Sequence, residues 1–155
     1  MYNISMKKLG IDYGQKRIGL AISDETELIA TPLPVLKVKS FSDAVTKIQR
    51  IIKRQKIEEV ILGLPLCRKG NETKQSIQTR YFANALESTN GAKVVFRNEL
   101  FSTKEAEKNL KKSSKKAKEK KDSEAARIIL QEYLDSKNDP YKNKGIFPQY
   151  NLSKQ

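Results

Sequence analysis

The sequence predicts an α/β fold: a mixed sheet made of an antiparallel strand meander and then βαβ units, with helices on both faces. Three observations carry this. The first forty residues alternate in strand fashion between turns containing Gly or Pro. Stretches of helical period then alternate with short apolar runs. One such run, Val60-Ile61-Leu62-Gly63, is continuous, as a central strand covered on both faces requires. At 155 residues the chain suits one domain with a real core.

Element by element, Lys8 to Asp12 places Leu9 and Ile11 on one face and Gly10 and Asp12 on the other. Ile18 to Ser23 is a second strand, joined through the short Tyr13–Arg17 segment as a hairpin, and Pro34 to Val38 completes the meander. Ser40 or Ser42 caps a helix carrying Ala44, Val45, Ile48, Ile51 and Ile52 to about Gln55. The strand at Val60 leads into a loop from Leu64 to Asn71, where Pro65 and Gly70 break the pattern. Ile77, Tyr81 and Ala85, with Phe82 and Leu86 beside them, mark a second helix, and Lys93 to Arg97 a further strand. Ser102-Thr103-Lys104-Glu105 fits a capping box for a helix to about Lys112. The last helix is expected from Asp122, with a stripe of Ala125, Ala126, Ile129, Leu130, Tyr133 and Leu134. Residues 1–135 therefore form the domain, and 136–155 a polar, weakly structured C-terminal tail.

Net charge is +13, from 31 Lys+Arg against 18 Asp+Glu. A surplus of this size points to polyanionic partners, nucleic acid above all, although a lysine-rich proteome would produce the same bias. No apolar run is long enough for a membrane span, and the N-terminus lacks the pattern of a secretory signal. A cytoplasmic protein without membrane partners is expected, as a monomer or weak homodimer. Histidine is absent and Cys67 is the one cysteine. That excludes an intramolecular disulfide, a Cys/His zinc site and any imidazole base. Cys67 reads as a small, partly buried loop residue. Carboxylates, Lys, Tyr, Ser/Thr and bound hard metal ions remain as catalytic options.

Three acidic segments stand where regular elements begin or end: Asp12 after the first strand, Glu99 after the last, and Asp122 at the start of the last helix. Sites in open α/β sheets gather at the carboxyl ends of parallel strands, so the three can converge. Such a cluster suits Mg²⁺ or Mn²⁺ and phosphodiester hydrolysis without histidine. Each residue also has an ordinary structural explanation: Asp122 as a helix N-cap, Asp12 as a turn aspartate before Gly14, Glu99 as an exposed rim residue. Strand alternation adds that Asn98 and Glu99 point to opposite faces.

Lys104 to Lys121 holds nine lysines against three glutamates. Its dense part, Lys111 to Lys121, shows no apolar period and reads as a mobile segment. Lys115, Lys116, Lys118, Lys120 and Lys121 would contact phosphates without reading sequence; a solvated charge run is the alternative. Lys16 and Arg17, just after Asp12, are further candidates for phosphate contacts. Leu62 to Asn71 offers backbone N–H groups before the second helix, but without the glycine spacing of the known phosphate loops.

Gly10-Ile11-Asp12-Tyr13-Gly14-Gln15-Lys16-Arg17-Ile18-Gly19-Leu20-Ala21-Ile22-Ser23-Asp24 resembles the opening motif of the YqgF/RuvX family. Val60 to Leu66 with Gly70 and Phe82-Ala83, Asn98 to Thr103 with Ala106, and Asp122 through Ile129-Leu130-Gln131 to Leu134 resemble its three later blocks, in order. The resemblance implies an RNase H-like fold. The family is bacterial, formerly described as Holliday junction resolvases and now as nucleases that mature the 5′ end of pre-16S rRNA. By position, Asp12, Glu99 and Asp122 match its metal carboxylates. The resemblance thus implies an RNA nuclease using Mg²⁺ or Mn²⁺, with pre-16S rRNA and DNA junctions as candidate substrates. Two positions depart: Asn98 stands where the family usually has Asp, and Leu100 where it usually has Arg, which removes a bidentate donor. A catalytically weak nucleic-acid-binding module in ribosome assembly or transcription is the alternative. Asp12-Tyr13-Gly14 also resembles the first phosphate motif of actin-like kinases, but those need two such domains.

Overall fold

The computed structural model describes residues 6–67, 69–90, 92–101 and 115–139. Five strands form one sheet: β1 (Lys7–Asp12), β2 (Arg17–Ser23), β3 (Ala30–Lys37), β4 (Ile57–Cys67) and β5 (Lys93–Phe101). Their spatial order is β3-β2-β1-β4-β5. The first three are antiparallel neighbours, and β4 and β5 run parallel to β1. Helices α1 (Phe41–Gln55) and α2 (Lys74–Asn90) cover one face, and α3 (Lys115–Lys137) the other. The expected meander, βαβ units and two-faced coverage are all present.

Strand parity separates two cores. Leu9, Ile11, Ile18, Leu20, Val60 and Leu62 point to α1 and α2, where Phe82 and Leu86 are fully buried. Ala21 and Ile61 point to α3 and meet its Ala126, Ile129, Leu130, Tyr133 and Leu134. Ser40 caps α1: its hydroxyl accepts from the Asp43 N–H at 3.1 Å, while the Asp43 carboxylate takes the Lys39 N–H at 2.9 Å. The helix ends on Lys56 in the left-handed conformation.

Several elements outrun the sequence-based expectations. β3 begins at Ala30, because its two prolines lie in an edge strand, where a missing N–H is tolerated. β4 continues through Pro65 to Cys67. Its pairing with β1 stops at Leu62, so Pro65 sits where β4 has only β5 beside it. Partnered by this longer β4, β5 runs on to Phe101. The expected loop from Leu64 therefore shrinks to the turn beyond Cys67. Thr73 occupies its own helix start: its hydroxyl accepts from the Ser76 N–H at 3.0 Å and donates to the Pro65 carbonyl at 2.7 Å, which disfavours a phosphate there. The helix expected over 102–112 lies outside the described residues. The last helix starts at Lys115, seven residues before Asp122, and runs to Lys137. Asn138 then bonds back to the Leu134 and Glu27 carbonyls. The first residues of the expected tail thus belong to the packed domain.

Glycines set the distance between α3 and the sheet. A β-carbon at Gly10 would stand 2.7 Å from the Leu130 β-carbon and 2.8 Å from the Ala126 carbonyl oxygen. One at Gly19 would stand 2.0 Å from the Asp122 carbonyl oxygen. Backbone cannot yield there as a flexible side chain can. Gly10→Ala is expected to lower stability by about 1–3 kcal/mol. Gly70→Ala meets open space and costs only the left-handed backbone at φ +79°, about 1 kcal/mol. Urea unfolding of both variants, with m-values compared, checks the ranking.

Candidate active site

Asp12, Glu99 and Asp122 all stand on the α3 side of the sheet. Asp12 ends β1 and shares its face with Gly10, which lies under α3. Glu99 is in β5, on the face of Val95 and Arg97. Gly63 of β4 separates the two strands, and the Glu99 carboxylate oxygen lies 3.2 Å from where a Gly63 β-carbon would be. Asp122 comes from the second turn of α3. Because β1, β4 and β5 are parallel, Asp12 and Glu99 sit toward the same, carboxyl end of the sheet.

The electrostatics show how they are connected. Burial, and then the charge of Asp122, raise the Asp12 carboxyl from its usual 3.8 to about 7. Burial, then Asp12, then Glu132 raise Glu99 from 4.5 to about 7. Asp12 is thus the neighbour common to the other two. The Asp122 carboxylate accepts the Arg17 Nε–H at 3.0 Å, both side chains being about 30% exposed (31% and 27%). Among the described residues no three acidic or thiol groups are gathered tightly enough to hold one ion between them. The arrangement is a row with Asp12 in the middle and Asp122 held by Arg17. As donors, two desolvated carboxylates repelling one another suit a hard divalent cation.

Two of the ordinary explanations do not survive. Asp122 is no N-cap, since it lies inside α3. Glu99 is half-buried, not an exposed rim residue. Asn98 is the exposed one, and alternation points it to the other face from Glu99.

The lysine run is helical from Lys115, contrary to the reading of a mobile segment. Only its part before Lys115 lies outside the described residues. Lys116, Lys120 and Lys121 are exposed, Lys118 is half-buried, and Glu119 pairs with Lys37 at 3.4 Å. Lys115 opens the helix. No acidic residue lies in the first turn, so cations gather at the positive end of the helix dipole, an arrangement that an anion would relieve. Lys16 is exposed, and its carbonyl accepts the Val38 N–H at 3.0 Å. Arg17, Lys16, Asp12 and Asp122 share a cleft of about 240 Å³. Gln75, whose amide donates to the Tyr13 carbonyl at 3.2 Å, lines it too. No sequence signal marks Gln75, because only the docking of α2 brings it there. Gly19 and Gly63 were also missed, though strand parity with Asp12 could have flagged them as the bare side of the sheet.

Both raised carboxyls bind protons more tightly folded than unfolded. Their contribution is full below about pH 4 and is lost as pH rises toward 7. Without divalent metal, Asp12→Asn should therefore stabilise the protein at pH 8 by about 1–2 kcal/mol, a figure discounted for solvent in the cleft, and change little at pH 4. Urea unfolding in EDTA at the two pH values measures this.

Comparison with known proteins adds kinship to this geometry. The RuvX family model, described as Holliday junction resolvase, matches residues 6–136. A protein of Dictyoglomus thermophilum is 40% identical over 134 residues, covering 84% of this chain and 96% of its own. One of Mycoplasmopsis synoviae is also 40% identical over 134 residues, covering 84% and 98%. Both are named "Putative pre-16S rRNA nuclease". Among solved structures, T. thermophilus RuvC in complex with Holliday junction substrate aligns with TM-score 0.51 at 16% identity, over 86% of this chain and 96% of that one. The fowlpox virus Holliday junction resolvase aligns with TM-score 0.52 at 18% identity, over 85% and 99%. At those identities the likeness concerns the fold, which is the RNase H-like one. With its four motifs in order and its three carboxylates on one face of that sheet, this chain belongs to the RuvX family.

Proposed function

We propose that this protein is a metal-dependent nuclease that hydrolyses RNA phosphodiesters in the maturation of the 5′ end of pre-16S rRNA, in the cytoplasm. The observation that carries the proposal is the pair of desolvated carboxylates, Asp12 and Glu99, each raised to about 7 at the carboxyl end of parallel strands. Family membership and the relatives' names supply the reaction class and the RNA. Among the described residues no helix is long and apolar enough to cross a membrane.

Asp12, Glu99 and Asp122 would hold Mg²⁺ or Mn²⁺. Such an ion, when bound, activates water and offsets the charge that develops on the phosphoryl oxygens. The remaining work falls to the chain itself. Lys16 and Arg17 draw the phosphate to the cleft. A phosphate that takes Arg17 also frees the Asp122 carboxylate beside Asp12, so substrate arrival completes the acidic set. The lysines of α3 hold the flanking backbone without reading its sequence.

Cleavage of a pre-rRNA leader and of a four-way DNA junction, each with Mg²⁺ or Mn²⁺, tests the reading. The leader should be cut, and Asp12→Asn should lose about a hundredfold or more of the rate. The same ions should raise the wild-type unfolding temperature at pH 8, but not that of Asp12→Asn. Junction cleavage alone would make the chain a resolvase. Binding without cleavage, unchanged in Asp12→Asn, would make it a binding module, as the Asn98 and Leu100 departures suggest.

For the helix, Lys116→Gln and Lys120→Gln should each weaken RNA binding alike across sequences. Each should also reduce the slope of log affinity against log salt by about 0.7. Titrations at several salt concentrations measure it.

A further inference from the structure

The acidic cleft is the first of three depressions joined by shared walls. The second, about 480 Å³, shares Tyr13, Gly14, Gln15, Lys16 and Gln75 with it and adds Lys74 and Gln78. The third, about 610 Å³, shares Tyr13, Gln15 and Gln78 with the second and is completed by Phe41 and Tyr81 among others. The path begins among carboxylates and Arg17 on the α3 side. It passes over the β1–β2 loop, where lysines and amides line it, and ends in an aromatic basin between α1 and α2.

Folding of the core does not account for that basin's rim. The buried face of α2 is served by Phe82 and Leu86, both fully buried, whereas Tyr81 is 66% exposed and Phe41 46%. The floor is rigid. Tyr13 stacks on Phe82 with ring centroids 4.5 Å apart, and Phe41 meets Phe82 edge-on at 6.3 Å. Flat aromatic surface, with Gln15 and Gln78 beside it as donors and acceptors, suits an unpaired base: the ring offers a stacking face and the amides can meet its edge. Lys16 and Lys74 lie between basin and cleft, where the connecting phosphates of one strand would run.

Building on the nuclease reading, we propose that this basin binds an unpaired nucleobase of the single-stranded nucleic acid whose backbone occupies the carboxylate cleft. It would hold the strand by one flipped-out base on the opposite side of the sheet from the bond to be cut. A base locked in a duplex could not reach it.

The test is binding of fluorescently labelled single-stranded RNA by the full chain in EDTA, so that no cleavage competes. Tyr81→Ala should weaken binding about 5- to 50-fold, and Tyr81→Phe, which keeps the stacking face, should restore it. One abasic position in the RNA should cause a similar loss in wild type and none further in Tyr81→Ala. Fully duplexed RNA should bind both proteins alike. Equal affinity of wild type and Tyr81→Ala, or a loss that every abasic position shares, would overturn the basin while leaving the nuclease reading in place. If Tyr81→Ala instead changes the sedimentation of the free protein, the basin is a self-contact and the proposal fails. Absence of any RNA or DNA binding at low salt would overturn the nuclease reading and the basin together.

Discussion

The close seat of α3 on the sheet is the constraint on which the rest depends. Gly10 and Gly19 present no side chain to the helix, and Ile129 of α3 reaches to 2.6 Å from where a Gly63 β-carbon would stand. The helix therefore rests on backbone. Its own small and aliphatic residues, Ala126, Ile129 and Leu130, fill what space remains. At this spacing the second turn of α3 comes down over β2, and Asp122 reaches Arg17 and the neighbourhood of Asp12. A side chain inserted under the helix would raise the whole turn, and the acidic row would lose its third member along with packing energy. Stability and site geometry are here the same contact.

That geometry also resolves an apparent conflict of charge. The chain carries +13, yet the α3 side of its sheet holds two carboxylates, Asp12 and Glu99, that keep their protons unusually tightly. Surface lysines do little for groups shielded from them by the fold, because desolvation acts locally while the surface charge is screened. Arg17 touches only one end of the row, at Asp122. On the proposed reading, a basic exterior over an acidic recess would attract a polyanion broadly while keeping a place inside for a cation.

Much of this was legible in the sequence. Periodicity marked α1 and α2, parity assigned the two faces of β1 and β2, and the continuous run at Val60 announced the central strand. The misreadings share a cause. Pro65 reads as a break, and the third strand is expected only from Pro34, but Pro32, Pro34 and Pro65 each lie where the strand is paired on one side only, a tertiary circumstance that local pattern cannot carry. The start of α3 was hidden for a similar reason. Its first turn extends the helix without an apolar stripe to announce it, and charge density alone reads as loop. For the site, Asp12, Glu99 and Asp122 could be named from their motifs. Their linear order, with Arg17 on one end, could not, since it depends on side chains meeting across 105 positions. Asn98 is exposed, as alternation with Glu99 requires, so its side chain points away from the carboxylates.

Asp12 and Tyr13 are consecutive residues that leave the end of β1 in opposite directions, one toward α3 and the other onto Phe82. One peptide unit thus joins the acidic row on one side of the sheet to the packing on the other. Repacking around Phe82 would reach the carboxylate across a single planar peptide unit, with only the backbone torsions on either side of it to absorb the shift.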